Sequence, residues 1–208
     1  MTQVLEVLFW CGGFIAVYSY LLYPHLLVLL KRHTGTARDA GGALPTITVI
    51  ITARNEQARI AEKLENTLAI DYPPALMNVL VASDASTDAT DEIVAGFAGR
   101  QVQLVRAPER KGKEHAQWLA IQAATGSILM FTDTATRLRA DALRLLAEDF
   151  IDPAIGAVSS EDELTSKDGE VRGEGAYVRY EMALRRLESR VAGLVGLSGS
   201  CFAVRKSV

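Results

Sequence analysis

Short apolar runs alternate with helix-periodic stretches over residues 45–153. The runs at 47–52, 78–83, 102–106 and 127–132 are rich in β-branched or large apolar side chains and end in polar turn residues. Each reads as a buried parallel strand. Between them, Ile60, Leu64 and Leu68 share one helical face, and Asp71-Tyr72-Pro73-Pro74 stops that helix. Helices are predicted over 88–97, 113–124 and 140–150, with Ser86, Thr87 and Asp88 as candidate caps of the first. This alternation predicts an α/β domain, a mainly parallel sheet flanked by helices in right-handed βαβ units. After Pro153 the pattern changes. A strand is expected at 157–160, a polar stretch with a Lys167-Asp168-Gly169 turn at 161–175, a charged helix at 177–191 and a last strand at 199–205.

The N-terminus differs in kind. Residues 4–30 are apolar apart from Glu6, Pro24 and His25. At about 1.5 Å per residue such a run crosses a hydrocarbon core of roughly 30 Å. A buried core helix is the alternative, but such helices are usually shorter and amphipathic. Tyr18, Tyr20 and Tyr23 suit an interfacial aromatic belt, and Lys31, Arg32 and Arg38 follow the run. The positive-inside rule then predicts a single-pass anchor of the cell (inner) membrane with the remainder cytoplasmic. A cleaved signal peptide fits less well, because the basic n-region is missing and the apolar stretch is long. The expected organisation is an anchor at 1–33, a linker at 34–45 and a catalytic-type domain at 46–208.

Composition adds two exclusions. The net charge of −3 provides no electrostatic footprint for nucleic acid. Cys11 and Cys201 are far apart in the chain and form neither a disulfide framework nor a metal-ligand spacing.

The chemistry concentrates at strand ends. In an open α/β sheet ligands gather there, and Asp84 and Asp133 each follow an apolar run. No G-x-G-x-x-G follows the first strand, which disfavours a dinucleotide site, and Gly112-Lys113 is followed by Glu114, which excludes a Walker A loop. Four segments remain: Thr52-Ala53-Arg54-Asn55-Glu56, Ser83-Asp84-Ala85-Ser86-Thr87-Asp88, Gly112-Lys113 and Thr132-Asp133-Thr134-Ala135-Thr136.

In that order and spacing, these segments resemble the family-2 glycosyltransferases, whose catalytic domain has the GT-A (Rossmann-like) fold. The resemblance runs from about Pro45 to the end of the chain. The Tyr23-Pro24 pair also resembles the anchor of membrane-bound members. It implies an inverting hexosyltransferase-type enzyme that takes a nucleotide sugar, usually a UDP-sugar, with Mg²⁺ or Mn²⁺ on the diphosphate. The acceptor would be a saccharide or lipid-linked, as in polysaccharide biosynthesis.

By resemblance, Asp84 reads the nucleobase, Lys113 meets the diphosphate, Asp133 ligates the metal, and Thr52, Arg54 and Glu56 line the nucleotide. Each has a plainer alternative. Asp84 and Asp133 suit Asx turns or caps, Lys113 suits a solvated helix start, and Arg54 and Glu56 suit surface ion pairs. The 177–191 helix is open between an acceptor-side element, a solvated charged face and a membrane-surface helix.

The sequence departs from the family pattern at two positions. Ala135 stands where the metal motif has its second aspartate, and Trp118 stands where members often have Asn. The family's catalytic base is expected beyond Val208, in a C-terminally incomplete domain. That expectation leaves open a non-enzymatic reading, a membrane protein that binds nucleotide or a partner only. A GT-A nucleotidyltransferase ranks below both, since its Gly-rich first loop is missing.

Overall fold

A computed structural model describes residues 2–30, 43–161, 176–191, 193 and 196–207. The expected linker at 34–45 and polar stretch at 161–175 lie largely outside these residues. The chain forms two compact units.

The first unit contains an N-terminal helix of 28 residues, Thr2–Leu29, long and apolar enough to cross a membrane. It runs as helix α1 (Thr2–Val17), a π-helical turn (Tyr18–Leu22) and helix α2 (Tyr23–Leu29). Most of its apolar side chains, among them Phe9, Trp10 and Phe14, are exposed, whereas Leu27 is buried. The same unit holds helix α7 (Ala176–Val191). The Tyr180 hydroxyl donates to the carbonyls of Ser19 (3.2 Å) and Tyr20 (3.3 Å) in the π turn. The Tyr23 hydroxyl donates to Glu188 Oε1 at 2.9 Å. These bonds give the charged helix a side that faces the N-terminal helix, which its sequence did not disclose.

The second unit is built on one sheet. Its strands are β1 (Ile47–Ala53), β2 (Met77–Ser83), β3 (Val102–Arg106), β4 (Ile128–Asp133), β5 (Ala157–Ser159) and β6 (Cys201–Arg205). The order is β3-β2-β1-β4-β6-β5. The first four strands pair in parallel, and β6 pairs antiparallel with both β4 and β5. Parallel strands are covered on both faces, which explains their unbroken apolar runs. Ile47, Val49 and Ile51 face one core, with Ile60 and Leu64 of helix α3 (Ile60–Leu68), Val94 of α4 (Thr90–Ala95) and Leu143 of α6 (Ala142–Asp149). Ile50, Leu80 and Leu129 face the other, against Ala116 and Ala120 of helix α5 (Lys113–Ala123). The small alanines let α5 lie close to the sheet.

The entry into β4 is equally tight. The Gly126 amide donates to Thr48 Oγ1 at 2.9 Å. A Cβ at Gly126 would lie 2.5 Å from the Thr48 nitrogen, which belongs to strand backbone and cannot swing aside. Gly126→Ala is expected to destabilise the fold by about 1–3 kcal/mol. For a domain of this size that lowers the thermal midpoint by about 2–4 °C per kcal/mol, measured by circular dichroism in detergent.

Candidate active site

The strand order reverses at β1. The chain moves outward from β1 through β2 to β3, then returns to place β4 on the other side of β1. Loops leaving β1 and β4 therefore diverge and open a crevice at the carboxyl edge, the usual ligand position in such sheets. The register puts Thr52 opposite both Ala82 and Asp133, so the three strands end nearly level.

The loops after β1 and β2 are stitched to each other. The Asn55 amide donates to Ser86 Oγ (3.2 Å), and the Thr87 amide donates to Asn55 Oδ1 (2.8 Å). The Glu56 amide donates to Thr90 Oγ1 (2.8 Å) and the Gln57 amide to Asp88 Oδ2 (3.1 Å). Asp88 Oδ1 also accepts the Thr90 amide at 3.0 Å, so the expected cap residue serves both loops. Two turn residues that are not glycine, Asn55 (φ 54°) and Ala85 (φ 49°), lie in the left-handed region. Such a conformation is uncommon for a residue with a Cβ. Arg54 spans the second of them, with Nη1 donating to the carbonyls of Asp84 (2.7 Å) and Ala85 (3.3 Å). Arg54 is thus a brace for the Asp84 turn rather than a surface ion pair. Glu56 has Arg59 at 3.8 Å.

Asp84 is 3% exposed. Its Oδ1 accepts the backbone amides of Lys111 (3.0 Å) and Gly112 (3.1 Å). The aspartate at the end of β2 therefore fixes the approach to α5. Gly112 has φ 95° and ψ 170°, a region essentially reserved for glycine. The next residue, Lys113, opens α5 and aims its amine across the crevice. Nζ lies 2.7 Å from Asp133 Oδ1 and 3.1 Å from the Gly199 carbonyl. This ion pair is about two-fifths exposed, so it adds little stability and both partners are accessible. Thr52 Oγ1 accepts from Gln117 Nε2 of α5 at 3.0 Å.

The Asp133 loop is held from below. Lys63, on the inner side of α3, is 3% exposed. Its amine donates to Thr132 Oγ1 (3.0 Å) and to the Thr136 carbonyl (2.5 Å). The Asp133 amide donates to the Ser200 carbonyl at 3.1 Å, and Thr136 Oγ1 donates to the same carbonyl at 3.3 Å. Burial pushes the Lys63 ammonium down to about 8, while Cys201 and Asp133 nearby pull it the other way.

All six residues predicted for the site thus lie on the loops or strand ends around one crevice. Three contributors carried weaker signals. Asn55 reads as an ordinary turn residue and Ser86 as a candidate helix cap, because their role is across loops. Lys63 falls between Ile60 and Leu64 on a buried helix face, and a lysine there was the available signal. Trp118 is 54% exposed and stacks on His115, with ring centroids 6.2 Å apart.

Among the described residues no group of three or more metal-ligating side chains occurs. Asp133 is the carboxylate of its loop, and Ala135 is exposed and supplies no ligand. One protein carboxylate still suits Mg²⁺ or Mn²⁺ when phosphate oxygens and water complete the shell.

Residues 48–208 match the Glycosyl transferase family 2 model, and the chain belongs to that family. It is 24% identical over 212 residues to a beta-monoglucosyldiacylglycerol synthase of Nostoc sp., covering 99% of this chain and 45% of the relative. It is 29% identical over 139 residues to an N-acetylglucosaminyltransferase of Rhizobium leguminosarum bv. trifolii, covering 64% of this chain and 76% of that one. Among solved structures, the mannosyltransferase PcManGT from Pyrobaculum calidifontis, in complex with GDP-Man and Mn²⁺, superposes with a TM-score of 0.76. The identity is 28%, over 99% of this chain and 56% of that one. The chain spans about half the length of the synthase and of the mannosyltransferase. Family and fold thus agree: the chain is a family-2 glycosyltransferase domain by sequence and has the GT-A-like fold, a mixed sheet of six strands flanked by helices.

A pH prediction follows from Lys63. Its folded value of about 8 lies below the ordinary 10.5, so between the two the unfolded chain holds a proton that the folded chain has released. Stability from this site therefore rises with pH from about 8 and levels off near the ordinary value. The stability of wild type relative to Lys63→Met should rise by on the order of 2 kcal/mol between pH 7.5 and 10. Paired urea titrations check this, and a pH-independent difference would contradict it.

Proposed function

We propose that this chain carries the donor half of an inverting, membrane-anchored glycosyltransferase. It binds a nucleotide sugar, a UDP-sugar in the first instance, and transfers the sugar to a saccharide or lipid-linked acceptor. The observation that carries the proposal is the convergence of Asp84, Lys113 and Asp133 on one crevice, with Lys113 Nζ 2.7 Å from Asp133. Lys113 and Asp133 neutralise each other without donor and have opposite tasks with it.

In this reading the Asp84 carboxylate, one oxygen of which holds the Gly112 turn, accepts the imide N–H of uracil. Thr52, Arg54 and Glu56 shape the nucleotide wall. Lys113 turns from Asp133 to the diphosphate, and Asp133 would be the protein ligand that holds Mg²⁺ or Mn²⁺. The metal, when bound, stabilises the negative charge growing on the departing diphosphate. Lys113 supplies a second positive charge to the same oxygens through charge-assisted hydrogen bonds. The acceptor hydroxyl attacks the anomeric carbon as the bond to the diphosphate breaks. A general base takes the hydroxyl proton as the new bond forms. Support for a metal and a nucleotide sugar comes from the Mn²⁺ and GDP-Man complex of the mannosyltransferase.

Ala135 favours a second reading, a domain that binds nucleotide without transferring sugar. Calorimetric titration with UDP, UDP-sugars and GDP-mannose, with Mn²⁺ or with chelator, separates the possibilities. Asp84→Ala is expected to weaken UDP binding with or without Mn²⁺. Asp133→Ala should remove the Mn²⁺-dependent part alone. Lys113→Gln should lose about 10- to 100-fold, the worth of a hydrogen bond to a charged group. Tighter binding of GDP-mannose than of any UDP-sugar would overturn the base assignment. Tight donor binding without incorporation of labelled sugar into any acceptor would favour the second reading.

The apolar helix Thr2–Leu29, followed by basic residues, supports a cytoplasmic catalytic unit beneath the inner membrane. The chain is expected in the membrane fraction after carbonate extraction, with protease reaching the sheet unit from the cytoplasmic side alone. Cleavage from the opposite face would reverse the orientation.

A further inference from the structure

The site described above uses Lys113 and leaves a second lysine unexplained. Lys63 is a cation placed inside a domain core, and such groups are nearly always paired. Among the described residues no carboxylate takes its hydrogen bonds. They go to Thr132 Oγ1 and the Thr136 carbonyl, the two ends of the turn that presents Asp133. Thr132 and Asp133 end strand β4 and are paired there with β1 and β6, and Lys113 reaches the Asp133 carboxylate from across the crevice. Residues 134–136, which turn the chain away, lie beyond that ladder. The Asp133 amide and Thr136 hydroxyl share the Ser200 carbonyl, and the Thr136 amide donates to the Asp133 carbonyl at 3.2 Å. A neutral side chain of the same length, methionine, would fit the space and make none of these bonds.

We infer that Lys63 is a positioning residue for the donor site, a buried clamp that holds residues 132–136 in the conformation that aims the Asp133 carboxylate into the crevice. The inference rests on the proposal that Asp133 holds the metal. The physical reason is rigidity. A loop with one carboxylate has no second ligand to correct its aim, so a loosely held Asp133 would spend most of its time outside the metal-binding geometry. Affinity falls by the fraction of time the competent state is populated. Lys63 touches neither donor nor acceptor in this scheme, and its effect passes through the turn alone.

The test is Lys63→Met in the full chain in detergent. UDP affinity is measured calorimetrically with Mn²⁺ and with chelator, and the fold is checked by circular dichroism. Methionine is close to lysine in length and volume and leaves no buried charge behind, since the partners of Lys63 are a hydroxyl and a carbonyl, so the variant is expected to fold. Mn²⁺-dependent UDP binding should weaken at least 10-fold, while UDP binding in chelator stays within about twofold of wild type. A general loss of structure would lower both equally, and that result overturns the inference, as does unchanged Mn²⁺-dependent binding. Should Lys63→Met not fold, Thr132→Val removes one acceptor at constant shape, and a Mn²⁺-specific loss of about threefold is expected. Wild-type Mn²⁺ dependence in Thr132→Val overturns the inference. Failure of the underlying reading is seen in wild type itself. If wild-type UDP binding is identical in Mn²⁺ and chelator, Asp133 is no metal ligand and the clamp has no metal to serve.

Discussion

Strand β1 can be satisfied in one way only. It is buried on both faces and hydrogen-bonded on both edges, in parallel with β2 on one side and β4 on the other. A buried strand cannot leave its amides and carbonyls unpaired, and a one-residue slip would turn every side chain to the opposite core. The register is therefore fixed by backbone pairing and two apolar cores together. From it follows the levelling of Thr52, Ala82 and Asp133 at one edge. The chemistry of the site depends on that alignment, although no site residue lies in the middle of the strand.

Above the sheet, precision comes from side chains that bond to backbone of a different loop. Asp84 accepts amides 27 and 28 residues further on, and Arg54 and Asn55 tie the first loop to the second across about thirty residues. Each such bond satisfies a polar group that a loop leaves open and also sets one loop against another. This explains how left-handed Ala85 persists. The strain of one residue is offset by bonds on both sides of it. Polar residues read one at a time as turn formers act here as a network, which low-dielectric surroundings strengthen.

Much of this was legible in the sequence because the signals were local. The apolar runs, the helical face of Ile60 and Leu64, and the Pro73-Pro74 stop each depend on residues close in the chain. Element boundaries moved by a residue or two, as expected where ends fray. The segments bearing Asp84, Lys113 and Asp133 were legible as a set because each follows a strand or opens a helix. What remained hidden was non-local. The antiparallel insertion of β6 beside β4 depends on chain that returns after some seventy residues. The cross-loop bonds of Asn55 and the descent of Lys63 beneath the Asp133 turn depend on how α3 is seated. Likewise the charged helix α7 discloses its tyrosine contacts only when the N-terminal helix is beside it.

The π turn at Tyr18–Leu22 has a consequence for how the N-terminal helix divides its surface. A π turn closes i→i+5 rather than i→i+4 bonds, so each of its residues advances the spiral of side chains by less than an α-helical residue does. Stripes drawn along α1 do not continue onto α2 but resume on a rotated bearing. One continuous rod is thereby given two independent compass directions without a break in its backbone. Beyond Glu6 the α1 portion is apolar all round and indifferent to bearing. The α2 portion is not, since Tyr23 must point to Glu188. An α-helical stretch of the same residue count would advance further about the axis and carry Tyr23 away from Glu188.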